Sequence, residues 1–241
     1  MKEDLDLAAN IVLAREDAWA AEYWPQHRQR ITDDIRLVSN LPGRILEVGS
    51  APYFTTLALS LMGRDIVGVD IAPEGAPREV VVRRCDIERE PLPAADGEFD
   101  VVLFSEVFEH LRIDPLFTVA ELRRVLRSDG KLLLTTPNLR SLRGILRLVL
   151  LGKGWAVGAY PLEQYTRLRE QGWMGHVREY TAREVSGVLE GCGFTVDKVL
   201  WRRKPGSWWQ TSIERVLPPA RPYMTLIASP VPSSRVRQRP L

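Results

Sequence analysis

Five unbroken apolar runs spread across residues 44–137 constrain the fold of this chain more than any other feature. They fall at 44–49, 65–70, 80–82 (leading into Cys85-Asp86-Ile87), 99–105 and 131–136. A strand with one face in water alternates apolar and polar residues, whereas a strand covered on both faces reads as continuous Val, Ile and Leu. Helical stretches separate the runs, at 54–62 before Gly63 and at 116–126 before Ser128-Asp129-Gly130. The alternation predicts βαβ units and a parallel sheet with helices on both faces. Pro52 suits the first turn of the earlier helix. Two further strands are expected at 194–202 and 223–229, completing a Rossmann-like α/β fold with a seven-stranded, mostly parallel sheet.

The flanks divide the chain. Residues 1–40 show helical spacing (Leu5, Ala8, Ile11, Val12, then Trp19, Tyr23, Trp24, Ile31, Ile35, Leu37) and no strand signal, so they are expected to form a helical cap. Their aromatic residues either fill the core or cover a pocket as a lid. One α/β domain is expected over 41–229, with 138–176 inserted on the substrate side after the fifth strand. That insert begins with an amphipathic helix at 142–151 and continues as a Gly- and aromatic-rich stretch, 152–175, holding Trp155, Tyr160, Tyr165 and Trp173. So long a segment suits a lid or a substrate platform, although an interface is an alternative. Thr181 and Glu184 have the spacing of a capping box for a helix ending at Gly191-Cys192-Gly193. Residues 230–241 read as a mobile basic tail.

Composition matters for what it excludes. No segment reaches the roughly 18 apolar residues needed to span a bilayer, and the acidic start Met1-Lys2-Glu3-Asp4 is unlike a signal peptide. Two cysteines, Cys85 and Cys192, fit a reducing compartment, so a cytoplasmic protein is expected. Net charge is +2, but basic residues load the second half: Arg140, Arg143, Arg147, Lys153, then Arg202, Arg203, Lys204, Arg215, Arg221, Arg235, Arg237 and Arg239. They form either a solvated face, the favoured reading, or a surface for an anionic partner such as nucleic acid, a phosphorylated sugar or a membrane. Nucleic acid is disfavoured because the basic residues are scattered and no binding module is appended. A homodimer is compatible with the sequence.

Ile45-Leu46-Glu47-Val48-Gly49-Ser50-Ala51-Pro52-Tyr53 is the turn from first strand to first helix, where α/β sheets bind ligands outside the strand carboxyl ends. Gly49 would admit the ligand against backbone, and Glu47 would set a carboxylate beside it. Asp70, ending the second strand with Ile71 after it, lies where a ribose would sit; a carboxylate there accepts from both hydroxyls. A dinucleotide site requires G-x-G-x-x-G for its pyrophosphate, but Ala51 and Phe54 stand at the second and third places. A cofactor without phosphate tolerates them.

On these residues the chain resembles the class I S-adenosylmethionine (SAM)-dependent methyltransferases over about residues 40–230. Leu46-Glu47-Val48-Gly49 matches the stretch at the methionine end, Val69-Asp70 the ribose position, Cys85-Asp86-Ile87 the adenine position, and Phe99-Asp100-Val101-Val102 leads to Ser105-Glu106. The resemblance implies SAM as cofactor, held by Glu47, Gly49, Ser50, Ala51, Tyr53, Asp70, Ile71, Asp86, Ile87 and Ser105. The family's glycine-rich loop is altered to Gly49-Ser50-Ala51-Pro52-Tyr53.

Glu106-Val107-Phe108-Glu109-His110 carries the second constellation. On a helix, positions i, i+3 and i+4 share a face, which would project Glu106, Glu109 and His110 together. Two carboxylates and an imidazole suit a divalent metal: Mg²⁺ by oxygen content, with Mn²⁺ or Zn²⁺ favoured more by the imidazole. His176 is a candidate fourth ligand. The pattern resembles the metal-dependent branch, the ubiquinone-pathway O-methyltransferases and small-RNA 2′-O-methyltransferases, where such residues hold Mg²⁺ against substrate hydroxyls. The competing reading keeps Glu106 near the cofactor and makes His110 a packing residue or a base.

A hydroxyl acceptor must lose a proton during transfer, so Glu106, His110 and His176 are the candidate catalytic residues. This concentration of Glu and His points to oxygen as the acceptor atom. Thr136-Pro137-Asn138, the amphipathic insert and His176-x-Arg178-x-Tyr180-Thr181 resemble saccharide- and glycolipid-modifying methyltransferases. A saccharide hydroxyl is therefore the expected acceptor, with a small phenolic or polyketide hydroxyl second. The rivals from other classes are an NAD-dependent oxidoreductase and a non-catalytic SAM-fold scaffold.

Overall fold

A computed structural model describes residues 1–152, 160–171, 174–204 and 206–232. Helices α1 (Lys2–Leu13) and α2 (Ala18–Ser39) precede β1 (Ile45–Val48), α3 (Phe54–Leu61), β2 (Ile66–Asp70), β3 (Val81–Arg84), β4 (Phe99–Ser105) and α4 (Pro115–Val125). Then follow β5 (Leu126–Pro137), α5 (Leu142–Leu151), α6 (Pro161–Gln171), α7 (Ala182–Gly191), β6 (Phe194–Arg202), α8 (Trp208–Val216) and β7 (Tyr223–Pro230). The seven strands make one sheet in the order β3-β2-β1-β4-β5-β7-β6. Only β7 runs antiparallel to its neighbours, β5 and β6. The expected Rossmann-like α/β architecture is present.

Four of the five apolar runs are buried on both faces because successive residues enter different cores; the run at 80–82 is the edge strand β3, where Val81 is exposed. On β4, Val101 and Leu103 point to the layer of α1, α2 and α3, while Val102 and Phe104 point to the layer of α4 and α7. Ile45 on β1 and Leu133 on β5 join the first core; Leu46, Val48, Leu132 and Leu134 join the second. The two-residue period survives, but with both faces apolar it is invisible as an alternation. The N-terminal helices are thus half of the fold's covering: Leu5, Ala8, Val12, Ile31, Ile35 and Val38 are buried beneath them.

Several boundaries differ from expectation. Pro52 does not begin α3: Tyr53 caps that helix with φ +73°, and the helix starts at Phe54. The turn out of β1 must double back beside β2, and a left-handed residue achieves this before helical geometry can begin. β5 starts at Leu126 rather than 131, since the chain leaves α4 directly in extended conformation and Leu126 pairs with Phe99. β7 takes in Pro230, so the sheet reaches one residue into the expected tail. Within the insert, α6 occupies much of the stretch read as Gly- and aromatic-rich. Trp155, Trp173 and Lys153 of that stretch, and Arg235, Arg237 and Arg239 of the tail, lie outside the described residues. Among the described residues no helix is long and apolar enough to cross a membrane.

Candidate active site

Strand order reverses where β2 and β4 flank β1, and a cleft of about 240 Å³ opens at the carboxyl ends there. Gly49 forms its floor; Asp70 and Ile71 follow β2; Cys85, Asp86, Ile87 and Glu88 follow β3; Val107, His110, Leu111 and Arg112 follow β4. Met174 and Gly175 close it from the insert. Gly49 has φ +74°, and a Cβ there would collide with Val107 Cγ2, so the floor requires glycine on two counts. Asp70 accepts from the backbone N–H of Ala51 (2.9 Å) and of Ala72 (3.2 Å), which fixes its carboxylate at the rim. Asp86 is held similarly by the Glu88 N–H (3.1 Å) and by Arg89 (2.8 Å).

Five residues expected at the cofactor do not line this cleft. Ser50 is buried, Ala51 serves through its N–H, and Tyr53 is buried with its hydroxyl donating to the Ala72 carbonyl (3.2 Å). Ser105 turns to the other side of the sheet edge, between Arg30 (2.7 Å) and Asp34 (2.8 Å) of α2. Glu47 lies behind the floor, 6% exposed, and Thr56 of α3 donates its hydroxyl to the carboxylate.

Burial pushes the Glu47 carboxyl up to about 8, against the lowering effect of the Thr56 hydrogen bond. An acid whose pKa rises on folding stabilises the fold below its unfolded value and loses that contribution as pH rises through the folded one. Glu47→Gln should therefore remove a few kcal/mol of pH dependence between about pH 4.5 and pH 8. In the cofactor-free protein, the Tm of the variant should exceed that of the natural protein at pH 8 and converge with it near pH 5. Parallel Tm–pH curves would show that Glu47 ionises freely in the folded state.

The second constellation is built from two loops. Phe108–His110 is a single 3₁₀ turn after β4, and the segment before α7 crosses it, with the Val177 N–H donating to the Glu109 carbonyl (2.8 Å). This brings Glu109, His110 and His176 together: one ligand atom of each lies within 4.8 Å of the others. The two imidazoles meet edge to face at 4.5 Å, and His176 Nε2 is 3.8 Å from Glu109 Oε1. Glu109 is fully buried; its Oε2 accepts from the Thr136 hydroxyl (2.9 Å), while its Oε1 has no hydrogen-bond partner. Burial, then the charge of Glu106, raises its pKa well above the ordinary range. Burial lowers the His110 pKa and keeps that ring neutral. An orphaned buried carboxylate oxygen beside two imidazoles is a donor set that fits a divalent cation.

The expected helical face does not exist. Glu106 has φ +58° and Val107 is non-helical, so Glu106 does not share a face with Glu109 and His110 and lies outside the three-residue group. After the 3₁₀ turn, Asp114 and Pro115 cap and start α4. Glu106 instead faces a polar cluster from α2 and β6. Arg30 donates to Asp34 (3.1 Å) and to the Tyr23 hydroxyl, and Arg202 donates to Asp34 (2.6 Å). Glu106 Oε1, Arg30 Nε and Arg202 Nη2 are buried there without hydrogen-bond partners. Burial raises the Glu106 pKa, opposed chiefly by the charge of Arg30.

Sequence reasoning missed this side of the site. Tyr23, His27, Arg30 and Asp34 stand at i, i+4, i+7 and i+11 on α2, a polar stripe among apolar positions that was the available signal. His27 stacks on Tyr23 at 4.1 Å, and burial, followed by the charges of Arg30, Lys204 and His176, lowers its pKa to about 3. Residues around His176 prove structural: Arg178 pairs with Glu184 (2.5 Å), Tyr180 packs on Phe108, and Thr181 caps α7. Asn138 is fully buried, its amide donating to the carbonyls of Pro219 (2.9 Å) and Arg221 (2.8 Å).

A family model described as a methyltransferase domain matches residues 19–199. A ubiquinone biosynthesis O-methyltransferase from Cereibacter sphaeroides is 31% identical over 160 residues, 52% of this chain and 63% of that protein. A probable S-adenosylmethionine-dependent methyltransferase from Mycolicibacterium smegmatis is 29% identical over 184 residues, 74% of this chain and 62% of its own. The chain thus spans somewhat less than two thirds of these curated relatives. In fold it is similar to a SAM-dependent methyltransferase from Thermotoga maritima, described as a possible histamine N-methyltransferase. The TM-score is 0.59 at 17% identity, covering 91% of this chain and 98% of that one.

Proposed function

The chain belongs to the class I SAM-dependent methyltransferases, and from that premise we propose that it transfers a methyl group from SAM to an acceptor hydroxyl with the help of a divalent metal. The observation that carries the proposal is the meeting of Glu109, His110 and His176 beside the cleft, with Glu109 Oε1 buried and without a hydrogen bond.

SAM is assigned to the cleft floored by Gly49. Asp70 and Asp86, each already fixed by backbone amides, would receive its hydroxyls and adenine, and Ile71 and Ile87 would cover the ring. Asp70→Ala should weaken SAM binding roughly 5- to 150-fold, the equivalent of about 1 to 3 kcal/mol for losing a charged hydrogen-bond acceptor. An unchanged dissociation constant by calorimetry would put the ribose elsewhere.

In the reaction, the hydroxyl oxygen attacks the sulfonium methyl in line. The new C–O bond forms as C–S breaks, S-adenosylhomocysteine leaves, and the hydroxyl proton passes to a base. Glu109, His110 and His176 would hold Mg²⁺ or Mn²⁺, which supplies a lowered hydroxyl pKa and a fixed orientation. Glu106 Oε1 is then the group left to receive the proton; its raised pKa suits a base working near neutrality. Val107 and Leu111 exclude water on the cofactor side.

Two acceptor classes compete. A saccharide or glycolipid hydroxyl was suggested by Asn138, Arg178 and Thr181, but all three are engaged in structural bonds. A ring hydroxyl of a small aromatic metabolite is supported by the similarity to ubiquinone biosynthesis O-methyltransferases. We favour the aromatic hydroxyl. Incubation with methyl-labelled SAM and Mg²⁺ across catechols, mono- and oligosaccharides and RNA decides between them. Label on a catechol supports this reading, and label only on a saccharide reverses the preference. Binding of NADH with no binding of SAM would defeat the methyltransferase reading altogether.

A further inference from the structure

Ten of the twenty large apolar side chains exposed among the described residues belong to α5, α8 and Leu217, which follows α8. Leu148 to Leu151 are four consecutive side chains, each 54–75% exposed, at the end of α5; on α8, Trp208 is 82% and Val216 87% exposed. A helix end facing water gains nothing from such residues, and an apolar patch of this kind marks a binding surface.

The first turn of α5 reaches the loop that leads into α8. Arg143 of α5 donates to the Lys204 carbonyl (3.5 Å) just before α8, and Gly206 leaves room for that guanidinium. The same Arg143 charge acts on buried Glu214 of α8. Around the apolar residues the charge has one sign. Leaving out Arg202, which is buried against Asp34, segments 140–152 and 201–217 hold six Arg and Lys against one acid, Glu214, a charge of +5 in a chain whose total is +2. Arg140, Arg203 and Arg215 are exposed.

Apolar side chains with tryptophan at the boundary, ringed by arginines, match the surface of a bilayer containing anionic lipid. The apolar groups enter the headgroup boundary and the arginines meet phosphates. A nucleic acid would use the arginines but leave the leucines wet, and a second copy of the chain would set +5 against +5. We propose that α5 and α8 dock this protein on anionic membranes. Lys204, at the rim of the patch, acts electrostatically on Glu106, so the docked face adjoins the acceptor side of the cleft. This inference does not depend on the proposed reaction.

The test is co-sedimentation of the full chain with extruded vesicles of phosphatidylcholine alone or mixed with phosphatidylglycerol, at low and high salt. The natural protein should pellet with the phosphatidylglycerol vesicles at low salt and largely remain in solution otherwise. A Leu150→Ser/Trp208→Ser double variant should bind them about tenfold or more weakly, with Tm and SAM affinity unchanged. Failure to pellet with anionic vesicles at low salt would overturn the proposal, as would equal binding by the variant. So would a concentration-dependent dimer that shows no lipid binding and that the double substitution dissociates.

Discussion

Replacing Asp34 with alanine should destabilise this protein by about 3 to 5 kcal/mol and lower its Tm by about 6 to 20 °C, given the scaling for chains of this size. Asp34 is fully buried and accepts from Arg30, Arg202 and Ser105, so one carboxylate joins α2, β4 and β6. Its removal leaves two guanidinium groups, each 8% exposed, with Glu106, whose pKa burial raises, as the remaining acid of the cluster. The penalty arises from that uncompensated charge more than from the lost bonds. Asp34→Asn keeps the shape and one acceptor oxygen and should fall between the natural protein and the alanine variant. Thermal unfolding checks both. A Tm change below about 2 °C for Asp34→Ala would mean that water reaches the cluster and screens it.

The second large effect is expected at Glu109. Glu109→Gln preserves volume and can still accept from Thr136, so the fold and the SAM cleft should survive. The amide replaces the ionisable carboxyl group that faces His176 with one that cannot become an anionic ligand. If the group holds a metal that activates the acceptor, turnover should fall on the order of 10²- to 10³-fold, reflecting several kcal/mol of lost assistance. SAM affinity should stay within about twofold, and Mn²⁺ titration should show weakened binding in the variant. Normal turnover with normal metal binding would remove Glu109 from the chemistry.

Much of the sheet was legible because burial on both faces writes continuous apolar runs into the sequence: the 99–105 strand coincides with β4, and the edge strand at 194–202, which is not such a run, coincides with β6. Asp70 and Gly49 were legible because topology puts ligands at the β1 crevice whatever the side chains do. Glu47 was misplaced for the opposite reason. Position in a strand does not reveal which face a side chain takes, and Glu47 points back to Thr56. Glu106 was grouped with Glu109 by helical spacing, but one residue at φ +58° breaks the period, and that angle is not written in Glu-Val-Phe-Glu-His. The α2 contribution escaped because Arg30 and Asp34 find Arg202 only through tertiary contact, 168 residues from Asp34. Helix α8 was missed, although its signal is present: Gln210 accepts from the Ser207 N–H (3.2 Å), a box announced by Ser-x-x-Gln after Pro-Gly.

The central claim, metal-assisted methyl transfer to a hydroxyl, meets its most direct test in single-turnover transfer from labelled SAM to a catechol acceptor in excess EDTA, then with Mg²⁺ or Mn²⁺ restored. The account predicts loss of transfer in the chelator with SAM still bound, and recovery when the metal returns. Full transfer in excess EDTA would contradict it.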